Sequence, residues 1–210
     1  MNKFAIVGLL YLIATLGCEN QKKMAVYASF EKSTEGSWFY GIFETEDGRR
    51  LIDVTITIDS LAPFKMDTLT RHNLAISPHS HHTVSIYYKE LPEVTGDVYV
   101  PSDFRVTKID SIISIGEDDT IKWVVSDTLV KPDYWRIFIY RGNTKVYDNY
   151  FNRYTRECII PSRVFAGVFS DIQTYDFTII ALCYGNLQNA SSYSTLAGVI
   201  SKKIKITASN

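Results

Sequence analysis

The segment YDFTIIALC, residues 175–183, places an apolar side chain at every second position. A repeat of two is the period of a β-strand, in which successive side chains point to opposite faces of a sheet. The side chains predicted to share the buried face are Tyr175, Phe177, Ile179, Ala181 and Cys183. This alternation predicts a core strand and, with it, a β-sheet protein.

The same pattern recurs on both sides of this segment. Residues 120–125, 135–140 and 199–207 alternate in the same way, as do residues 53–59 in the first half of the chain. Turn-forming residues recur roughly every eight to twelve positions, and no segment carries a sustained helical stripe. The sequence therefore predicts an all-β protein.

Pro101 ends the last predicted strand of the first half, because proline cannot donate a hydrogen bond to a sheet. The predicted domain boundary follows it, near residues 103–107. We expect two consecutive antiparallel β-sandwich domains, the first over residues 24–104 and the second over residues 105–210. A single larger sandwich is the alternative that the pattern leaves open.

The second half carries a family resemblance. Trp123 lies at an inward position of one predicted strand, Trp135 begins another, and residues 175–181 read Tyr-x-Phe-x-Ile-x-Ala. In these positions the chain resembles a fibronectin type III domain. The resemblance implies a sandwich in which the Tyr175 hydroxyl donates to nearby backbone, and it implies nothing about a ligand. The first half resembles the immunoglobulin-like or carboxypeptidase-regulatory-like modules of exported bacterial proteins.

The N-terminal 17 residues have the form of an export signal. Lys3 is followed by an apolar stretch at residues 4–16, and Gly17 precedes Cys18. The chain here resembles bacterial lipoproteins, although Thr15 and Leu16 depart from the usual motif. The resemblance implies that residues 1–17 are removed, that Cys18 carries the lipid, and that residues 18–23 form a tether. The protein is then membrane-anchored on the periplasmic or surface face of a bacterial envelope. Plain secretion, or a core strand with an incidental cysteine, is the alternative.

The balance of charges narrows the classes of partner. The 22 basic and 23 acidic residues nearly cancel and form no like-charge block, which argues against a nucleic-acid partner.

If Cys18 carries a lipid, Cys158 and Cys183 remain as a candidate disulfide in an oxidising compartment. Two buried free thiols are the alternative, because cysteine often serves as a small core residue.

The histidines are the candidate metal ligands. His79 and His81 are two positions apart, which on a strand places both imidazoles on one face. The turn composition before them indicates a solvated loop instead, so we predict no metal and no cofactor. Glu117, Asp118 and Asp119 are interpreted as a turn between strands. The chain contains no Gly-x-Ser-x-Gly elbow and no phosphate loop, and we predict that it is not an enzyme.

The strands also predict an apolar outer face. When Trp135 points inward, alternate residues of its strand and of its neighbour point outward. The candidate interaction face comprises Phe138, Tyr140, Ile180 and Leu182. Another domain or a loop could cover this face, and a register slip of one residue would turn all four side chains inward.

These features predict a lipid-anchored, non-catalytic binding or scaffolding module at the cell envelope, with a protein partner. A glycan-binding module of a polysaccharide-handling system is the alternative, because aromatic rings can stack on sugars. The aromatic residues available for it are Trp38, Tyr40, Tyr87 and Tyr88.

Overall fold

The computed structural model describes residues 22–165 and 172–209. These residues form sixteen β-strands and a short 3₁₀ helix at Ser162–Val164, with no α-helix among them. The all-β prediction is therefore confirmed. The strands are β1 (Met24–Ser33), β2 (Gly36–Thr45), β3 (Val54–Ile58), β4 (Phe64–Met66), β5 (Arg71–Asn73), β6 (His81–Tyr87), β7 (Val94–Tyr99), β8 (Phe104–Lys108), β9 (Ile112–Ser114), β10 (Asp119–Val125), β11 (Tyr134–Arg141), β12 (Thr144–Asn152), β13 (Glu157–Ile160), β14 (Ile172–Tyr184), β15 (Asn186–Gln188) and β16 (Thr195–Ser209). None of the described residues belongs to a helix with the length and apolarity of a membrane span.

The strands are arranged in three sheets. The largest has eight strands in the order β12-β11-β14-β16-β1-β2-β5, with β9 also paired to β16. A five-stranded sheet has the order β15-β7-β6-β3-β4, and a three-stranded sheet has the order β13-β10-β8. Buried side chains from all three sheets form one continuous hydrophobic cluster.

The eight-stranded sheet crosses the predicted domain boundary. Strand β1 pairs in parallel with β16, from Tyr27 opposite Thr195 to Lys32 opposite Ile200. Strand β15, which follows β14, in turn joins the five-stranded sheet by pairing with β7. Strands from residues 24–104 and from residues 105–210 therefore share two sheets. The predicted pair of consecutive sandwiches does not stand as two separate units, because pairing partners far apart in sequence leave no local pattern.

The inward faces predicted from the alternation are confirmed. Val54, Ile56 and Ile58 are buried on β3, and the inward residues of β14 are buried from Tyr175 to Cys183. The centre of the second half is aromatic: the ring of Trp135 lies 5.0 Å from Phe104 and 5.3 Å from Trp123. These rings are fully buried, as expected for the largest apolar side chains of a core.

Two local predictions need correction. The sequence Leu-Ala-Ile-Ser at residues 74–77 also predicts a strand, but none forms there, and the short strand β5 lies just before it at Arg71–Asn73. The Tyr175 hydroxyl is buried and has no hydrogen-bond partner among the described residues, so the backbone contact implied by the fibronectin resemblance is not present there. The sequence Glu-Asp-Gly-Arg at residues 46–49 predicts a hairpin turn, and this turn is confirmed. Gly48 has a φ of 80°, and its N–H donates to Thr45 O at 2.9 Å.

Glycines allow the closest contact between the two halves. A Cβ on Gly198 of β16 would lie 2.8 Å from the carbonyl carbon of Tyr99 and 2.9 Å from Cα of Val100. A Cβ on Gly185 would lie 2.7 Å from Cβ of Val98. Strand β7 and the residue after it therefore pack backbone to backbone against β14 and β16, which only glycine permits at these positions.

Candidate functional site

The four residues predicted as an interaction face lie on the outer side of the eight-stranded sheet. The register pairs Tyr134 of β11 with Leu182 of β14 and Arg136 with Ile180, so their side chains share one face. The rings of Phe138 and Tyr140 are 5.7 Å apart and meet edge to face. All four predicted residues are half-buried, while Trp135, on the same strand as Phe138 and Tyr140, is fully buried on the opposite face. The predicted direction of these side chains is therefore correct.

A shallow groove of about 300 Å³ crosses this outer face. It contains Ile180 and Leu182 of the predicted face, but not Phe138 or Tyr140. Its lining residues in the described part of the chain all belong to strands β1, β2, β11, β12, β14 and β16. Four tyrosines line it: Tyr27, Tyr40, Tyr150 and Tyr184.

A second groove of about 390 Å³ adjoins the first, because both are lined by Tyr184. It adds Tyr134 and Tyr154, together with polar side chains that include Asn152 and Arg153. We call the six tyrosines of the two grooves the tyrosine track: Tyr27, Tyr40, Tyr134, Tyr150, Tyr154 and Tyr184. The last four are between 46% and 79% exposed.

The two arginines of the track are each paired with a carboxylate, while the Glu31 carboxylate in the first groove accepts from Trp38 Nε1 and Ser29 Oγ. Arg136 donates to both carboxylate oxygens of Asp148, at 2.9 Å from Nε and 2.8 Å from Nη2. This guanidinium holds the pKa of the Asp148 carboxyl well below its usual range. Arg136 also stacks on the ring of Tyr150, at 4.9 Å, and Arg153 donates to Asp133 at 3.0 Å. The polar part of the track therefore presents salt bridges that are already formed.

The aromatic residues predicted to stack on sugars divide between two sheets. Tyr40 lines the first groove. Trp38 points out on the same face of β2 and donates from Nε1 to Glu31 Oε2 at 2.8 Å. Tyr87 and Tyr88 lie at the end of β6, in the five-stranded sheet.

His79 and His81 do not share a site. His79 precedes β6 in a left-handed conformation with a φ of 66°, and its Nε2 lies 2.8 Å from Asp127 Oδ2. His81 begins β6 and its Nε2 lies 3.5 Å from Asp97 Oδ2. No group of three or more His, Cys, Asp or Glu side chains among the described residues is arranged to hold a metal ion.

His82 is a buried histidine in a chain of polar groups that the sequence did not reveal, between the half-buried Ser80 and the exposed Asp59. Its Nδ1 lies 2.6 Å from Asp59 Oδ2, and its Nε2 lies 2.8 Å from Ser80 Oγ. The same order of groups occurs in serine hydrolases. Here, however, the Ser80 hydroxyl donates to Ser77 O at 2.6 Å, and the Ser80 N–H also donates to that carbonyl. The N–H of His79 donates to Val100 O. These neighbouring amides are therefore not free to stabilise an oxyanion, and the chain links the end of β3 to the start of β6.

The candidate disulfide is not formed, and the alternative of two buried free thiols is confirmed. Cys158 lies on β13 of the three-stranded sheet, with its sulfur 3.5 Å from Tyr147 Oη. Cys183 lies on β14 of the eight-stranded sheet and donates to Lys131 O at 3.4 Å. Both are buried free thiols. Burial raises the pKa of the Cys183 thiol to about 12, which keeps it protonated and unreactive.

Two larger cavities have volumes of about 530 Å³, and the second of them borders the track, because Tyr184 and Asp133 also line it. One is near the start of the described chain and mixes charges from Lys22, Asp47 and Lys89 around Tyr88. The other lies where β7 meets the end of β14. Cys18, the predicted lipidation site, is outside the described residues. Its role is therefore a prediction from sequence alone.

Of the six tyrosines of the track, only Tyr40 was predicted from the sequence as a candidate ligand-binding residue. Tyr134 and Tyr184 occupy outward positions of β11 and β14, so the alternation could have placed them on the predicted face. The sequence could not place Tyr27 and Tyr150 on this face, because β1 and β12 join the sheet only by pairing with β16 and β11. No protein-family model matches the chain, and no curated protein is detectably similar to it.

Proposed function

We propose that the protein is a lipid-anchored, non-catalytic binding or scaffolding module of the bacterial envelope, which acts through the outer face of the eight-stranded sheet. The observation that carries the proposal is the groove across six neighbouring strands, which brings partly exposed apolar and aromatic side chains together on one face. Contiguous exposed apolar surface of this kind commonly marks a binding site.

We further propose that the chain combines two sandwich modules that share this sheet. The order β13-β10-β8 facing β12-β11-β14-β16 agrees with a fibronectin type III-like module for residues 105–210. The five-stranded sheet with β1, β2 and β5 supports an immunoglobulin-like module for residues 24–104. Because the two modules would share sheets, they would form one rigid unit instead of two domains joined by a flexible linker, and a rigid unit suits a scaffold.

The anchor is tested by acylation. We expect the wild-type chain to incorporate a labelled fatty acid in bacterial cells and to remain with the membrane fraction. The Cys18→Ser variant should lose both the label and the membrane association, because the thiol that forms the thioether is absent. Equal labelling of the two chains would contradict the anchor.

The binding face is tested with Ile180→Asp. A carboxylate in the middle of the groove should reduce cross-linking of the protein to other envelope components in intact cells by tenfold or more, since it disrupts the apolar contact. Ile159→Asp is the matched control, because Ile159 is 61% exposed on the three-stranded sheet. Thermal unfolding of each variant checks that the fold is kept. Wild-type cross-linking by folded Ile180→Asp would refute the proposed face.

A glycan-binding module is the second candidate function. It is favoured by the tyrosine track, which offers the flat aromatic surface that such a module requires.

A further inference from the structure

The register of the sheet explains the shape of the first groove. Tyr184 pairs with Ala197, Ala197 with Ser29, and Ser29 with Tyr40, so these four residues form one row across four adjacent strands. Three strand spacings separate Tyr184 from Tyr40, which is about 14 Å. The small side chains of Ala197 and Ser29 form the floor of the groove, and a tyrosine stands at each end of it.

The two grooves together define the form of a ligand. Tyr184 lines both of them, and the ring of Tyr134 in the second groove lies 6.0 Å from the ring of Tyr184. The first groove crosses the broad face of the sheet, and the second lies beside it where β11 begins and β12 ends. A molecule that fills both therefore has to be extended and has to cross the strands. A compact small molecule would occupy only one of them.

The side chains define the chemistry of the ligand. A tyrosine presents a flat apolar ring and a hydroxyl, which match a sugar ring with an apolar C–H face and a hydroxylated edge. The charged groups beside the rings already have partners: Arg136 forms two hydrogen bonds to Asp148, Arg153 forms one to Asp133, and Glu31 accepts from Trp38 Nε1 and Ser29 Oγ. A charged ligand would have to compete with these salt bridges, whereas an uncharged hydroxylated ligand can accept or donate at their edges.

We infer that the tyrosine track binds an extended, uncharged glycan chain that crosses the strands from β12 to β2. This inference depends on the proposed function, in which the outer face is the binding surface. It adds the class of ligand and the residues that stack on it, with Tyr184 at the centre because it belongs to both grooves.

The experiment is native affinity electrophoresis of the full chain in a detergent without a sugar head group. The gels contain a neutral α-glucan, β-glucan, mannan or xylan, or an anionic polygalacturonate. We expect at least one neutral polysaccharide to retard the wild-type protein, and polygalacturonate not to do so. Tyr184→Ala should weaken that retardation by tenfold or more, and Tyr40→Ala should weaken it less, since Tyr40 lines one groove only.

Tyr87→Ala is the matched control. Tyr87 is 52% exposed, close to the 50% of Tyr184, but it lies on β6 in the five-stranded sheet. We expect its retardation to stay within twofold of wild type. Retardation by none of the neutral polysaccharides, retardation by polygalacturonate alone, or an equal loss in Tyr87→Ala would overturn the glycan inference.

The outcome separates the inference from the proposed function. If no polysaccharide retards the protein while Ile180→Asp still abolishes cross-linking in cells, the glycan inference fails and the binding face stands with a protein partner. If Ile180→Asp leaves cross-linking at the wild-type level, the proposed face itself fails.

Discussion

Gly198→Ala is expected to lower the free energy of unfolding by about 3 kcal/mol, the upper part of the usual range for overpacking. The new methyl group would lie 2.8 Å from the carbonyl carbon of Tyr99 and closer still to its oxygen. These are backbone atoms, so no side-chain rotation can relieve the contact. Strand β16 would have to move away from β7, although it is held between β14 and β1 by pairing on both sides. The change in the free energy of unfolding is measured by urea denaturation, with tyrosine and tryptophan fluorescence as the signal.

Ser201→Ala is the control for this substitution. Ser201 lies on the same strand, and its side chain is half-buried on the outer face opposite Ile180. We expect its effect to stay within about 0.5 kcal/mol, as is usual for a change that creates no cavity and no clash. If Gly198→Ala is no more destabilising than Ser201→Ala, the close backbone contact between the two halves does not exist in solution.

Asp59→Asn is expected to lower the free energy of unfolding by about 2 kcal/mol. Asp59 accepts from the backbone N–H of Thr83 with Oδ1 and contacts Nδ1 of the buried His82 with Oδ2. Asparagine has one acceptor oxygen, so one of these two donors would face an NH₂ group. Asparagine also tolerates the left-handed backbone of residue 59, whose φ is 49°, so the change tests the side chain alone.

Asp97→Asn is the control, because it changes the partner of an exposed histidine instead. The pair of His81 and Asp97 is 3.5 Å long, and its side chains are 41% and 46% exposed. Exposed ion pairs contribute between about 0 and 1 kcal/mol, so a small effect is expected. Urea denaturation of both variants gives the comparison. Equal effects would mean that the contact of Asp59 with the buried His82 does not stabilise the fold.

Local patterns predicted the faces of the strands well. The alternation identified the buried residues of β3, β11 and β14, and it placed Phe138 and Ile180 on the outer side of their strands. It succeeded because the direction of a side chain on a strand follows from the position of the residue alone. The same local reasoning predicted the turn at Gly48, where the backbone needs a positive φ.

Features that depend on distant pairing could not be predicted. The sequence could not decide between a disulfide and two free thiols, and the structure has free thiols because Cys158 and Cys183 lie on different sheets with separate partners. The chain of Asp59, His82 and Ser80 was missed, since its carboxylate lies 23 positions from the imidazole in sequence. Sequence spacing has no fixed relation to such distances.

The sequence by itself determined that the chain forms β-strands, which side chains of each strand are apolar, and where several turns lie. Only the tertiary structure decided that β1 pairs with β16, which brings Tyr27 and Tyr40 onto the same face as Tyr150 and Tyr184. The physical reason is that strands are joined by backbone hydrogen bonds, which are the same for every residue type. The choice of partner therefore depends on how the whole core packs, and the binding face exists only once that choice is made.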